Sequence, residues 1–147
     1  MPMLMRSVTT VVAILLGGCQ QSGPPNAHTT SSNISTLKER VEVLQKYVTF
    51  RRTYETLDFD IMYQNNSGGM VPGPSDWDVR LVATVPQSEL QTWIPLGVQP
   101  SAQDRRWLET VPKSLDLGGI TEWYGDGDRI IGLDRVRRIV AYRAWSS

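Results

Sequence analysis

The sequence predicts an α+β fold: a small, mostly antiparallel sheet with an N-terminal amphipathic helix and two short helices, after a cleaved signal peptide and a flexible tether. Three observations predict it. Apolar residues alternate with a period of two around residues 56–63 and 78–85, as half-buried strands require. A helical stripe precedes them. Further β-like pieces follow two short helical ones without βαβ alternation, which favours antiparallel pairing over a parallel sheet.

The first residues carry Arg6 as their only charge, then an apolar run over residues 8–16, then Gly17, Gly18 and Cys19. A charged start, a short apolar core and small residues before a cut are the layout of a secretory signal. About nine apolar residues fall short of the roughly twenty needed to cross a bilayer as a helix. The segment is therefore read as a signal and not as a membrane span.

Leu16-Gly17-Gly18-Cys19 also resembles the lipobox of bacterial lipoproteins. The resemblance implies a diacylglyceryl group on the Cys19 thiol, cleavage between Gly18 and Cys19 by the lipoprotein signal peptidase, and acylation (palmitate) of the new amine. Two or three acyl chains anchor a protein stably where one does not. Gln20, where an inner-membrane lipoprotein commonly has aspartate, implies the periplasmic face of the outer membrane if the source is Gram-negative. The run over residues 71–80, Val-Pro-Gly-Pro-Ser-Asp-Trp-Asp-Val-Arg, resembles small uncharacterised bacterial lipoproteins and carries no residue role.

The expected organisation is signal peptide 1–18, lipidated cysteine and disordered tether 19–34, and one α+β domain over 35–147. Residues 20–33 hold no charge and no aliphatic side chain larger than alanine, too little apolar surface to offset the entropy of ordering. Such a tether spans roughly 20 Å. His28, the sole histidine, falls within it.

Thr36 and Glu39 have capping-box spacing ahead of Leu37, Val41, Leu44 and Val48 on one stripe, predicting a helix over about 37–49. In the next strand Leu57, Phe59, Ile61 and Tyr63 face inward while Asp58, Asp60 and Met62 face outward. In its neighbour Val79, Leu81, Ala83 and Val85 face inward. Keeping the faces aligned puts Arg80 opposite Asp58 or Asp60.

Pro86 suits the first turn of a short helix carrying Leu90, Trp93 and Ile94, ending near Pro95. Ser101 is the expected cap of another with Trp107, Leu108 and Val111, halted by Pro112. Strand-like pieces follow at 120–124, 129–133 and 136–145, the first two joined by Gly125-Asp126-Gly127-Asp128, a hairpin composition. In the last piece Val136, Ile139 and Val140 share a helical face, while its β-branched and aromatic content favours strand.

Equal numbers of basic and acidic residues exclude the cationic field of a nucleic-acid binder. With Cys19 acylated and His28 in the tether, the domain is expected to lack both thiol and imidazole, which removes serine-histidine and cysteine-histidine catalysis and the usual zinc sets. No cofactor or metal is expected, and Asp126-Gly127-Asp128 lacks the oxygen ligands of a calcium loop at its later positions.

Carboxylate pairs drawn from Asp58, Asp60, Asp76, Asp78, Glu122, Asp126 and Asp128 offer the alternative of a cell-wall glycan or peptidoglycan hydrolase. Two binding surfaces stand out beside it. One is the long loop between the central strands, with Asn65, Asn66, Asp76, Trp77 and Asp78, because long ordered loops often carry function. The other is a basic strip, Arg135, Arg137, Arg138 and Arg143, with Arg129 upstream. The residue types favour a non-catalytic envelope domain that binds a protein or a cell-wall polymer.

Overall fold

The computed structural model describes residues 26–66, 75–112 and 114–146. Gly18, Cys19 and the signal segment lie outside them. The architecture is mixed α and β and mostly sheet. In chain order come β1 (Ala27–Thr30), a 3-10 turn (Ser31–Asn33), α1 (Leu37–Leu44), β2 (Thr56–Gln64), β3 (Asp76–Thr84), 3-10 turns at Gln87–Trp93 and Arg106–Thr110, then β4 (Glu122–Asp126), β5 (Arg129–Asp134) and β6 (Ile139–Trp145). The six strands form one sheet in the order β1-β2-β3-β6-β5-β4, every neighbouring pair antiparallel.

The tether expected up to residue 34 is corrected from Ala27 onward, because β1 pairs with β2 from Ala27 opposite Tyr63 to Thr30 opposite Asp60. Ser31, fully buried, then accepts from the Phe59 backbone N–H and donates to Asp58 through its hydroxyl. These polar residues order by completing β2's hydrogen bonds, not by burying apolar surface.

At α1 the Thr36 hydroxyl accepts from the Glu39 N–H and donates to the Glu39 carboxylate. The helix stops at Leu44, short of the expected residue 49, where hydrogen bonds from Lys46 to Val43 and from Tyr47 to Leu44 tighten the chain into turns.

Both short helical pieces are 3-10 turns. Ser101 does not cap the second, which begins five residues later at Arg106 behind an N-cap, Arg105, that makes no side-chain cap bond; the Ser101 N–H donates to the Trp123 carbonyl. The Asp104 carboxylate accepts from the Arg106 N–H. The last piece is a strand. Gly127, at φ 61°, takes the first position of the two-residue β4–β5 turn, where left-handed backbone favours glycine.

Layers cover both faces of the sheet, which corrects the expectation of one buried face. One side packs Phe59, Leu81, Leu133 and Val140 against Leu44 and Trp93, with Phe50, Trp93 and Tyr142 meeting edge to face at 5.4–5.7 Å between centroids. The other packs Val82, Ile130, Ile139 and Ala141 under Trp107, Val111 and Ile120. Trp123 lies over Gly132, directly opposite on β5, where a Cβ would come within 2.7 Å of the indole.

Candidate functional site

The second covering layer stops short of one end of the sheet. Its last polar contacts there are Thr110, whose hydroxyl accepts from Arg80, and Ser114, whose hydroxyl donates to Asp58. Beyond them the even-numbered face of β1–β3 and the end of β6 is open, and a cavity of about 560 Å³ forms.

Register dictates its floor. His28 stands opposite Met62, Met62 opposite Asp78, and Asp78 opposite Trp145, one row across four strands. Asn26, Gln64, Asp76, Trp77, Arg143 and Ser146 complete much of the wall. Met62 is 49% exposed, the price of leaving this corner uncovered.

Behind that row lies a second, Thr30, Asp60, Arg80 and Arg143. Ion pairs run diagonally between the two. His28 Nε2 is 2.6 Å from Asp60 Oδ1. Asp60 Oδ2 is 3.8 Å from Arg80, Arg80 Nη2 is 2.6 Å from Asp78, and Arg143 donates from Nε and Nη2 to the same carboxylate at 3.1 and 2.9 Å. The Arg143 guanidinium also lies 4.8 Å over the Trp145 ring. Burial raises the Asp78 carboxyl, yet the hydrogen bonds from Arg80 and Arg143 outweigh it and hold the group below its ordinary value of 3.8.

The cavity gathers the C-terminal part of the predicted loop site. Asp76, Trp77 and Asp78 line it. Asn65 and Asn66 brace it from behind: the Asn65 N–H donates to the Asn26 side chain, and the Asn66 amide donates to Asp76. Residues 67–74 of that loop lie outside the described residues.

Of the basic strip only Arg143 reaches the cavity, and the strip is not an open cationic surface. Arg135 pairs with Glu122, Arg137 with Asp134 and Asp116, and Arg138 with Glu55. Arg129 pairs with Asp126.

Several of the candidate carboxylates are paired in the same way, whereas acid–base work needs one acid with a raised pKa beside an ionised partner. Asp58 is buried on Arg40 and Ser31, and Asp60 on His28 and Arg80. Hydrogen bonding from Arg135 holds Glu122 below its ordinary range. No group of three or more His, Cys, Asp and Glu among the described residues is arranged to hold a metal ion.

His28 was the residue that sequence reasoning missed, and its placement corrects the exclusion of imidazole from the domain. A buried carboxylate on one ring nitrogen orients the ring and turns the other nitrogen outward. No serine, threonine or cysteine hydroxyl or thiol is hydrogen bonded to His28 among the described residues, where its side-chain partner is Asp60. Met62 and Trp145 were also missed as site residues. The alternation that marks β2 assigned Met62 to an outer face without showing that this face is covered everywhere else.

No helix among the described residues is long and apolar enough to cross a membrane. Comparison with protein-family models, with curated proteins and with solved structures finds no match to this chain.

Proposed function

We propose that this chain is a lipid-anchored envelope protein whose single domain binds an envelope component, without converting it, in the cavity at the open end of the sheet. The observation that carries the reading is the row His28, Met62, Asp78 and Trp145. It places an oriented imidazole, an exposed thioether, a carboxylate and an indole on one concave surface, the mixture of apolar lining and a few fixed polar groups typical of small-ligand sites. The lipobox supplies the anchor, through Cys19.

The hydrolase alternative draws no support from Asp78 and Glu122, whose carboxyls arginine holds below their ordinary range. A photo-crosslinking residue at position 62 should capture an envelope component in intact cells, and Trp145→Ala should abolish the adduct. The same residue at Leu96, fully exposed and outside the cavity, serves as control. Equal capture at 62 and 96 overturns the binding reading. Labelled palmitate that attaches equally to wild type and Cys19→Ser overturns the anchor.

A further inference from the structure

Four strand ends meet at the cavity: β1 and β3 begin there, and β2 and β6 end there. Asn26, where the described chain begins, is part of the wall, and Cys19 stands seven residues upstream. A chain advances at most about 3.6 Å per residue, so seven residues reach no more than about 25 Å. The far end of the sheet, at nine residues of β2, lies a further ~30 Å away. With acyl chains on Cys19, the cavity end is the part of the domain held nearest the bilayer.

The wall there carries both signs of charge beside apolar surface. Asp76 is exposed. In the same wall the Arg143 guanidinium is held by Asp78 through Nε and Nη2, which leaves Nη1 for a ligand. Asp76 and Arg143 thus offer opposite charges to one occupant of the cavity. Trp93, Trp107 and Trp123 are buried and Trp77 packs into the first layer on the opposite face of the sheet, whereas Trp145 is half-buried on the cavity floor. Indoles favour the level of the lipid headgroups.

We infer that the cavity faces the membrane and takes the head of a zwitterionic phospholipid, its amine against Asp76, its phosphate against Arg143, its glycerol over Trp145 and Met62. This deepens the binding reading above, and its orientation rests on the anchor at Cys19.

Two measurements test it apart from the anchor. Dihexanoylphosphatidylethanolamine, below its micelle threshold, is titrated into the mature chain carrying Cys19→Ser, with tryptophan emission as the readout. A saturable change is expected, with the anionic dihexanoylphosphatidylglycerol binding about tenfold more weakly, as losing one charge-assisted contact implies. Asp76→Asn, on an exposed side chain that leaves the fold intact, should remove that preference. No saturable change, or equal affinity for the two lipids, overturns the inference.

The lipidated chain is then placed in vesicles containing brominated lipids. Quenching that disappears in Trp145→Phe supports the orientation. A protein that floats with the vesicles but is not quenched overturns the orientation and leaves the anchor standing. Failure to float, with no palmitate label, overturns the anchor alone, and the titration still decides the headgroup.

Discussion

Asp60 on β2 and Arg80 on β3 stand directly opposite each other with carboxylate and guanidinium 3.8 Å apart, both side chains largely removed from water. The carboxylate is shared, since its other oxygen takes His28 from the edge strand. Arg80 Nε has no hydrogen-bond partner in its buried position. Asp60 thus offsets a buried charge and fastens β1 at once.

Removing Asp60 should cost more than removing the residue it fastens. Asp60→Ala leaves the Arg80 charge with less compensation in a buried site, and a loss of about 3 kcal/mol is expected. His28→Ala removes one contact of a largely exposed ring and should cost about 1 kcal/mol or less. Urea unfolding of both variants checks the order; equal losses would show that Asp60 acts only through β1.

Acid should destabilise the fold through Asp78 and Asp134. Arg80 and Arg143 hold the first carboxyl low against its burial. The second is held low chiefly by the Arg137 backbone N–H, with the Arg137 side chain and the Val136 N–H assisting. A carboxyl depressed in the folded state stabilises it fully above the unfolded value of 3.8, and that contribution disappears as pH falls through the lower folded value. Urea midpoints should therefore hold steady from pH 7 to 5 and drop below about pH 4. Asp78→Asn should be less stable at neutral pH and show a shallower acid limb.

Trp107 should tolerate phenylalanine and not alanine. It is buried against Trp123, the rings edge to face at 6.5 Å, while its indole N–H has no partner. Trp107→Phe deletes no hydrogen bond, and its smaller ring should cost about 1–2 kcal/mol. Trp107→Ala opens a cavity and should cost about 3–5 kcal/mol. Thermal unfolding distinguishes the two.

Arg138 is the one non-glycine among the described residues with positive φ, at 59° in the β5–β6 turn. Asparagine adopts that backbone readily and β-branched residues do not. Arg138→Asn should lie within about 0.5 kcal/mol of wild type, trading the exposed pair with Glu55 for relief of strain. Arg138→Val should lose about 2 kcal/mol. A calorimetric comparison that reverses this order would contradict the turn geometry.

The central strands and their register were legible because alternation fixes faces, and aligned faces leave few partners: Arg80 meets Asp60, one of the two candidates read from parity. The β4–β5 turn was legible because glycine marks left-handed backbone. Ala27–Thr30 was not, since four small and polar residues carry no period of their own and are ordered by the edge of β2. Nor was the covering of the second face. Asp58 and Asp60 read as outward because hydropathy scores a charge alone, whereas both are buried with their countercharges, from Arg40 and from His28 and Arg80. The arginine strip misled for the same reason: its carboxylate partners come largely from distant parts of the chain.

Because β1 is both the first described element downstream of the proposed anchor and one wall of the cavity, mechanical load and ligand occupancy converge on the same four residues. Tension transmitted from upstream is borne first by the bond from the Asn65 N–H to the Asn26 side chain, then by the rungs from Ala27 to Thr30 and the side-chain tie between His28 and Asp60. Pulling that strand away would carry Asn26, Ala27 and His28 out of the cavity wall, so a bound ligand would resist the pull and a strong enough pull would release the ligand.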